Sequence, residues 1–221
     1  IQDAAQMVPA ANVEDSLSLF ELVMKGGYIM IPIGVLLFLA IYVMFDRIIA
    51  LRKASRHDKN FMLTIKDFIV SGNLEAARTL CRSSNSPEAA VVGKGLSRLG
   101  KPVAEIKEAM DGAGRAELYK IEKNMIVLNI IGRIAPMFGF VGTIIGVVKI
   151  FYDISLAGGD IKIDTISAGL YQKMITSAGG LIVGILAFAT YHILNIVIEK
   201  IINRMESAST EFLDILNEPS K

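Results

Sequence analysis

The stretch IAPMFGFVGTIIGVV at residues 134–148, together with MITSAGGLIVGILAFATYHILNIVI at residues 174–198, decides the fold. Neither run contains a charged residue, and a short polar break separates them. An apolar helix of about 20 residues crosses a bilayer. We therefore predict two membrane helices that face each other in a hairpin, within an all-α integral membrane protein.

One face of each run carries small or hydroxyl-bearing residues at helical spacing: Gly139, Gly142, Thr143 and Gly146 in the first, and Thr176, Ser177, Gly180 and Gly184 in the second. Small residues let helix backbones approach closely. A hydroxyl in such a stripe can bond a backbone carbonyl, bond to another helix, or hold water in a polar path through hydrocarbon. The stripes alone leave helix packing and a polar path both open.

The composition agrees with a membrane protein that has a substantial water-exposed part. Hydrophobic residues make up 52% of the chain and charged residues 20%, with a mean hydropathy of +0.50. The charges fall in blocks between long apolar runs. A net charge of +1 argues against a nucleic-acid partner. The single cysteine, Cys81, cannot form an internal disulfide, and we expect it to pack as a small apolar residue.

Residues 26–45 contain no charge and predict a first membrane helix. Cations follow that run, whereas acidic residues dominate before it, so the positive-inside rule predicts an external N-terminus. Residues 1–25 predict a tail followed by a short amphipathic helix that lies either on the membrane surface or against protein. The first residue, Ile1, indicates either a cleaved signal peptide or a shortened chain.

The rest of the chain predicts a cytoplasmic helical domain over residues 46–124, broken near 71–73, 83–87 and 100–102. Residues 104–126 predict one helix that continues into the second membrane helix, and this second and the third membrane helix extend into the cytoplasmic domain. Four further segments complete the predicted order: a second membrane helix at 125–152, a periplasmic loop at 153–165, a third membrane helix at 166–198 and a cytoplasmic C-terminal helix at 199–221.

Nothing in the sequence predicts catalysis. The two histidines are far apart, and we find no metal-ligand spacing and no paired carboxylates in an apolar setting. We expect no enzyme activity, no metal and no cofactor.

Two segments resemble the signature of the proton-channel family of ExbB, TolQ and MotA proteins, most closely the ExbB/TolQ branch. They are APMFGFVGTIIGV at 135–147 and GLYQKMITSAGGLIVGI at 169–185. The resemblance extends to GNLEAARTL at 72–80 and to EIKEAMDGAGRAELYKIEKNM at 105–125, and so covers most of the chain.

This resemblance implies a bacterial inner-membrane protein that forms a homo-oligomeric ring, pentameric in the ExbB/TolQ branch. It implies three kinds of partner: membrane lipids, an ExbD/TolR-like one-span protein whose membrane aspartate carries the proton, and a TonB/TolA-like protein. Ring and partner would convert proton-motive force into motion that energises TonB-dependent outer-membrane transport. The family's lining hydroxyls match Thr143 and Ser177, with Thr176 beside the latter.

Two positions depart from the family. Many relatives carry a glutamate where this chain has Gln172, and an amide cannot exchange a proton at physiological pH. With Gln172 in place of that glutamate, an acidic side chain on the partner becomes more necessary for proton transfer. Arg133 replaces a residue that is often small, and it could attract an anion at the cytoplasmic mouth. Lys173 follows Gln172 and is assigned no role by the sequence.

Other functions remain open at this point. They are a TolQ-like cell-envelope motor, a MotA-like or gliding stator, and a non-conducting scaffold whose hairpin only packs helices. The stator ranks lower because the cytoplasmic block of roughly 80 residues lacks a long charge-rich domain. A neighbouring reading frame for a one-span protein with an aspartate early in its apolar segment would favour the motor.

Overall fold

The computed structural model describes residues 27–55, 58, 60–156 and 163–217. Within these residues every regular element is an α-helix, so the predicted all-α class is confirmed. The elements are α1 (Met30–Ala54), α2 (Phe61–Val70), α3 (Leu74–Ser83), α4 (Pro87–Leu96), α5 (Val103–Glu122), α6 (Met125–Leu156) and α7 (Ile163–Asn217). The predicted N-terminal tail and amphipathic helix lie outside the described residues.

Three of these helices are long and apolar enough to cross a membrane: Met30–Ala54, Met125–Leu156 and Gly169–Asn217. In the most apolar window of each, only 22%, 22% and 28% of the residues are buried inside the chain. Apolar side chains left outward on such helices need lipid or other protein surfaces around them. The prediction of three membrane helices is confirmed, and the chain is a multi-pass membrane protein.

The apolar helices run further than the charge-free segments. Helix α1 continues past residue 45 through Asp46 and Arg47 to Ala54. Helix α7 has 55 residues and is therefore about 83 Å long. A hydrocarbon core of about 30 Å takes up only part of that length. Both helices consequently carry a charged extension on the same continuous backbone as their membrane segment.

The prediction of one helix over residues 104–126 is wrong. Helix α5 ends at Glu122, Lys123 leaves the helical conformation with φ −48° and ψ 134°, and Asn124 has a φ of +64° before α6 begins at Met125. Asparagine enters this left-handed region more readily than most residues because its short polar side chain bonds locally. Asn124 was the local signal, and the apolar periodicity on both sides of it concealed the break.

The described chain divides into two compact units. We name residues 27–35, 136–156 and 163–182 the hairpin unit. The core unit comprises the described residues of 36–135 and 183–217. Helices α1, α6 and α7 contribute to both units.

Helix caps define the short helices of the core unit. The Asn73 side chain accepts a hydrogen bond from the Ala76 amide at 3.2 Å, and the Ser86 hydroxyl accepts one from the Ala89 amide at 3.2 Å. Such residues satisfy amides that the first helical turn leaves without a partner. The predicted breaks near 71–73 and 83–87 are therefore real helix boundaries.

Large apolar side chains fill the interior of the core unit. The fully buried ones come from five different helices: Ile65, Leu96, Met110, Leu128, Ile131, Ile198, Ile201 and Phe212. Gly95 lies directly beneath Met110 and Phe212, since a β-carbon there would come within 2.7 Å of each. The charged extension of α7 thus supplies Phe212 to this interior.

Cys81 is buried on α3 opposite Gly93, as the sequence predicts for a small apolar residue. Burial raises the pKa of its thiol to about 11, because a thiolate is poorly solvated there.

Candidate functional site

The candidate site lies in the hairpin unit, where α6 and α7 approach through small residues. A β-carbon on Gly139 would come within 3.0 Å of the Ser177 carbonyl oxygen and 3.1 Å of its Cα. On Gly142 it would come within 2.9 Å of the Thr176 methyl group and 3.2 Å of Ile29. Ile29 immediately precedes α1. The glycines therefore permit contacts that any larger residue would push apart.

The Thr143 hydroxyl links the two helices. It donates to the Gly139 carbonyl on its own helix at 3.1 Å and lies 3.4 Å from the Lys173 carbonyl on α7. The residue is half-buried in a run that has no charge between positions 134 and 148. A threonine bonded in this way still offers oxygen lone pairs to water or to a ligand.

The two hydroxyls on α7 have different surroundings. Thr176 is 1% exposed and donates to the Gln172 carbonyl at 3.1 Å. Ser177 is half-buried and contacts Gly139 through its backbone. Among the described residues, no side-chain hydrogen bond engages the Ser177 hydroxyl. Ser177 and Thr143 are consequently the two accessible hydroxyls of the predicted set.

The Gln172 side chain extends to the beginning of α1. Its terminal amide packs against Gly27, where a β-carbon would come within 3.2 Å of the amide nitrogen. Gly27 has a φ of +76°, a conformation that favours glycine. The structure brings Gln172 to the α1 terminus, while its proposed place on a proton path stays a prediction.

Lys173 makes a contact that the sequence analysis missed. A β-carbon on Gly146 would overlap the aliphatic stem of Lys173, so this glycine accommodates a lysine rather than a second backbone. The sequence did contain a signal, because Lys173 is the only charged residue between positions 165 and 198. Gly146, which we predicted as a helix-packing residue, therefore contacts the side chain of a lysine.

The remaining predicted residues are distributed between the units. Gly180 is buried in the hairpin unit, whereas Gly184 is buried in the core unit. Arg133 lies exposed on α6 in the core unit. Its neighbour Gly132 makes the close approach there, since a β-carbon would come within 3.1 Å of the Phe188 amide nitrogen. The seven-residue spacing from Gly132 to Gly139 and Gly146 could have revealed this contact.

The hairpin site combines hydrogen-bonding groups with one cation. It presents hydroxyls, backbone carbonyls, one amide and one ammonium group. Among the described residues, no group of three or more His, Cys, Asp or Glu side chains comes together to hold a metal ion. Within residues 136–148 and 174–182 of the described hairpin unit, the sequence contains no Asp or Glu.

Comparison with known proteins places this arrangement in a known family. The sequence model of the MotA/TolQ/ExbB proton channel family matches residues 83–207, which include α4 to α6 and most of α7. Thr143, Lys173, Thr176 and Ser177 all lie within that match.

Individual relatives agree with the family match. The chain is 26% identical to the biopolymer transport protein ExbB-like 1 of Synechocystis sp., over 77% of this chain and 68% of the relative. It is 26% identical to a biopolymer transport protein ExbB homolog of Methanothermobacter thermautotrophicus, over 86% of this chain and 67% of the relative. A shorter match to ExbB of Helicobacter pylori is 38% identical over 33% of this chain and 49% of the relative. Since the family model covers more than half of the 221 residues, the chain belongs to the MotA/TolQ/ExbB proton channel family.

Proposed function

We propose that the chain is the ring-forming subunit of an inner-membrane motor that proton-motive force drives. A pentameric ring would enclose a one-span, ExbD-like partner whose membrane aspartate carries the proton. The motor would energise TonB-dependent outer-membrane transport through a TonB-like protein. The names of the ExbB relatives support biopolymer transport, and the family supports proton conduction.

The observation that carries the proposal is the Thr143 hydroxyl between α6 and α7, facing the Lys173 carbonyl, with the accessible Ser177 hydroxyl about one helical turn further along α7. A proton that reaches a carboxylate inside hydrocarbon needs a polar route, because isolated charge is costly there. Hydroxyls can donate and accept within such a route. Packing alone requires the shape of a threonine but not its oxygen.

We further propose that the N-terminus and residues 153–165 lie in the periplasm, whereas residues 46–124 and the C-terminus lie in the cytoplasm. The flanking charges support this orientation. Ser155 at the end of α6 and Ser97 after α4 are both exposed and make matched probes. In a Cys81-free background, an impermeant maleimide should label Ser155→Cys in intact cells and Ser97→Cys only after membrane disruption. The reverse labelling would invert the proposed topology.

The function is tested by removing one hydroxyl without changing the shape of the side chain. Thr143→Val should leave the complex with its partner intact, because hydrogen bonds between membrane helices contribute only about 0.6 kcal/mol on average. Energy-dependent uptake should nevertheless be lost, and Thr143→Ser should restore much of it.

Thr190→Val is the matched control. The Thr190 hydroxyl lies on α7 in the core unit and contacts the Met44 sulfur at 3.6 Å. This variant should retain uptake. Equal uptake by the Thr143→Val and Thr190→Val strains would favour a non-conducting scaffold instead.

A further inference from the structure

Lys173 lies on the face of α7 that packs against α6. Its carbonyl oxygen is 3.4 Å from the Thr143 hydroxyl, its side chain is half-buried, and its stem crosses Gly146. Helical side chains lean toward the N-terminus of their own helix. The stem therefore runs from the level of Thr143 toward the loop end of the hairpin.

Other charges in the hairpin unit lie further along the helices. Lys149 and Asp153 are exposed on α6, about 9 Å and 15 Å beyond Thr143 along the helix. Asp164 precedes Lys173 by about 13 Å of helical rise. The remaining titratable groups of the described unit are the phenols of Tyr28, Tyr152 and Tyr171. Lys173 is thus a charged residue of the described unit whose side chain packs across α6 at Gly146, about one helical turn beyond Thr143.

No acidic side chain in the described part of the chain forms an ion pair with Lys173. An ammonium group in an apolar helix pair costs free energy unless an opposite charge compensates it. Gln172 beside it is uncharged and packs on Gly27 instead. The arrangement therefore leaves a half-buried cation without a counter-ion among the residues that the structure describes.

We propose that Lys173 binds the carboxylate that the one-span partner brings into the ring, and so holds that carboxylate near Gly146, about one helical turn from Thr143. The inference rests on the proposed function, because the carboxylate is the partner's membrane acid. Lysine suits this task since its flexible stem lets the ammonium follow a moving group.

The ion pair distinguishes the two protonation states of the partner. An ionised carboxylate is attracted to the ammonium, whereas a neutral carboxylic acid is not. When a proton binds the carboxylate, the ion pair breaks and the partner helix is released. When the proton leaves, the pair can form again on a neighbouring subunit. Lys173 would thereby link proton binding to movement of the partner.

The test measures the pH at which the partner's membrane acid becomes protonated. Membranes that contain the chain and its one-span partner are treated with N,N′-dicyclohexylcarbodiimide, which reacts with protonated carboxyl groups, across a range of pH. Mass spectrometry then quantifies labelling of the partner's membrane acid. Because a nearby ammonium favours the ionised form, Lys173→Met should move the labelling midpoint up by about 1–3 pH units.

Three variants make the result specific. Lys173→Arg keeps the charge and should keep the wild-type midpoint. Lys149→Met removes an exposed cation from the same hairpin and should also leave the midpoint unchanged. Lys173→Gln is a second neutral variant, and its midpoint should rise as in Lys173→Met. Loss of the partner from both neutral variants, with retention by Lys173→Arg, would equally support the ion pair.

Unchanged midpoints in both neutral variants would overturn the role of Lys173. If Thr143→Val still abolished uptake in the same strains, the proposed function would survive that result. Wild-type membranes without any carbodiimide-reactive partner acid would instead remove the proposed function and this inference together.

Discussion

The hairpin unit and the core unit share the long helices α1, α6 and α7, but each unit is stabilised by a different kind of internal contact. The core unit buries large apolar side chains such as Phe212, Leu96 and Met110. In the hairpin unit, the closest contacts are made at glycines, against the Ser177 backbone and against the side chains of Thr176 and Lys173, and the fully buried side chain there is Thr176. Burial away from water stabilises the first kind of interior. In lipid, helices gain little free energy from apolar burial, so close packing and hydrogen bonds must stabilise the hairpin unit.

This difference separates stability from function. Changes in the core unit should lower the free energy of unfolding, whereas changes of the hairpin hydroxyls should alter proton coupling in a complex that still assembles.

Phe212→Ala should destabilise the core unit by about 3–5 kcal/mol, because removal of a fully buried ring leaves a cavity. Thermal unfolding of the detergent-purified protein measures the loss. Tyr119→Ala is the control, since Tyr119 is 79% exposed on α5 and its removal should change stability by no more than about 0.5 kcal/mol. Similar losses in both variants would show that Phe212 is not part of a packed interior.

Gly139→Ala should cost about 1–3 kcal/mol, because the added carbon would press on the Ser177 backbone and the helices would have to separate. The measurement is again thermal stability, together with the yield of the proposed ring. Gly34→Ala on α1 is the matched control, since a β-carbon there meets nothing within 4 Å. If the two alanine variants were equally stable, α6 and α7 would not pack through this glycine.

The smallest expected effect concerns the chemical reactivity of the Cys81 thiol, not the packing of the core unit. Its pKa of about 11 keeps the thiol protonated near neutral pH, and about 100-fold less thiolate forms than at the ordinary value of 9.0. Iodoacetamide should therefore alkylate the folded protein far more slowly than the unfolded protein.

The same shift predicts a stability change with pH. Because the folded pKa is the higher one, the contribution of Cys81 to stability is complete below pH 9 and declines as the pH rises toward 11. Cys81→Ala should remove this alkaline decline. Rapid alkylation of the folded wild-type protein would contradict the buried position of the thiol.

The sequence predicted the hairpin because charge-free length and small-residue spacing are local patterns. It identified Gly139 and Gly142 for the same reason, and the structure places both against α7. The break at Asn124 was missed because a left-handed residue interrupts a helix without disturbing its apolar period. The contact between the Lys173 side chain and Gly146 could not be derived from the sequence, because it depends on the register between α6 and α7.

The central claim is that the hairpin hydroxyls couple protons to work, and the double variant Thr143→Val, Ser177→Ala tests it most directly. The measurement is energy-dependent uptake in cells where co-purification confirms an intact complex with the partner. The account predicts that uptake falls to the level of wild-type cells whose proton-motive force has been collapsed. Uptake at the wild-type rate would contradict it and leave the hairpin as a packing element alone.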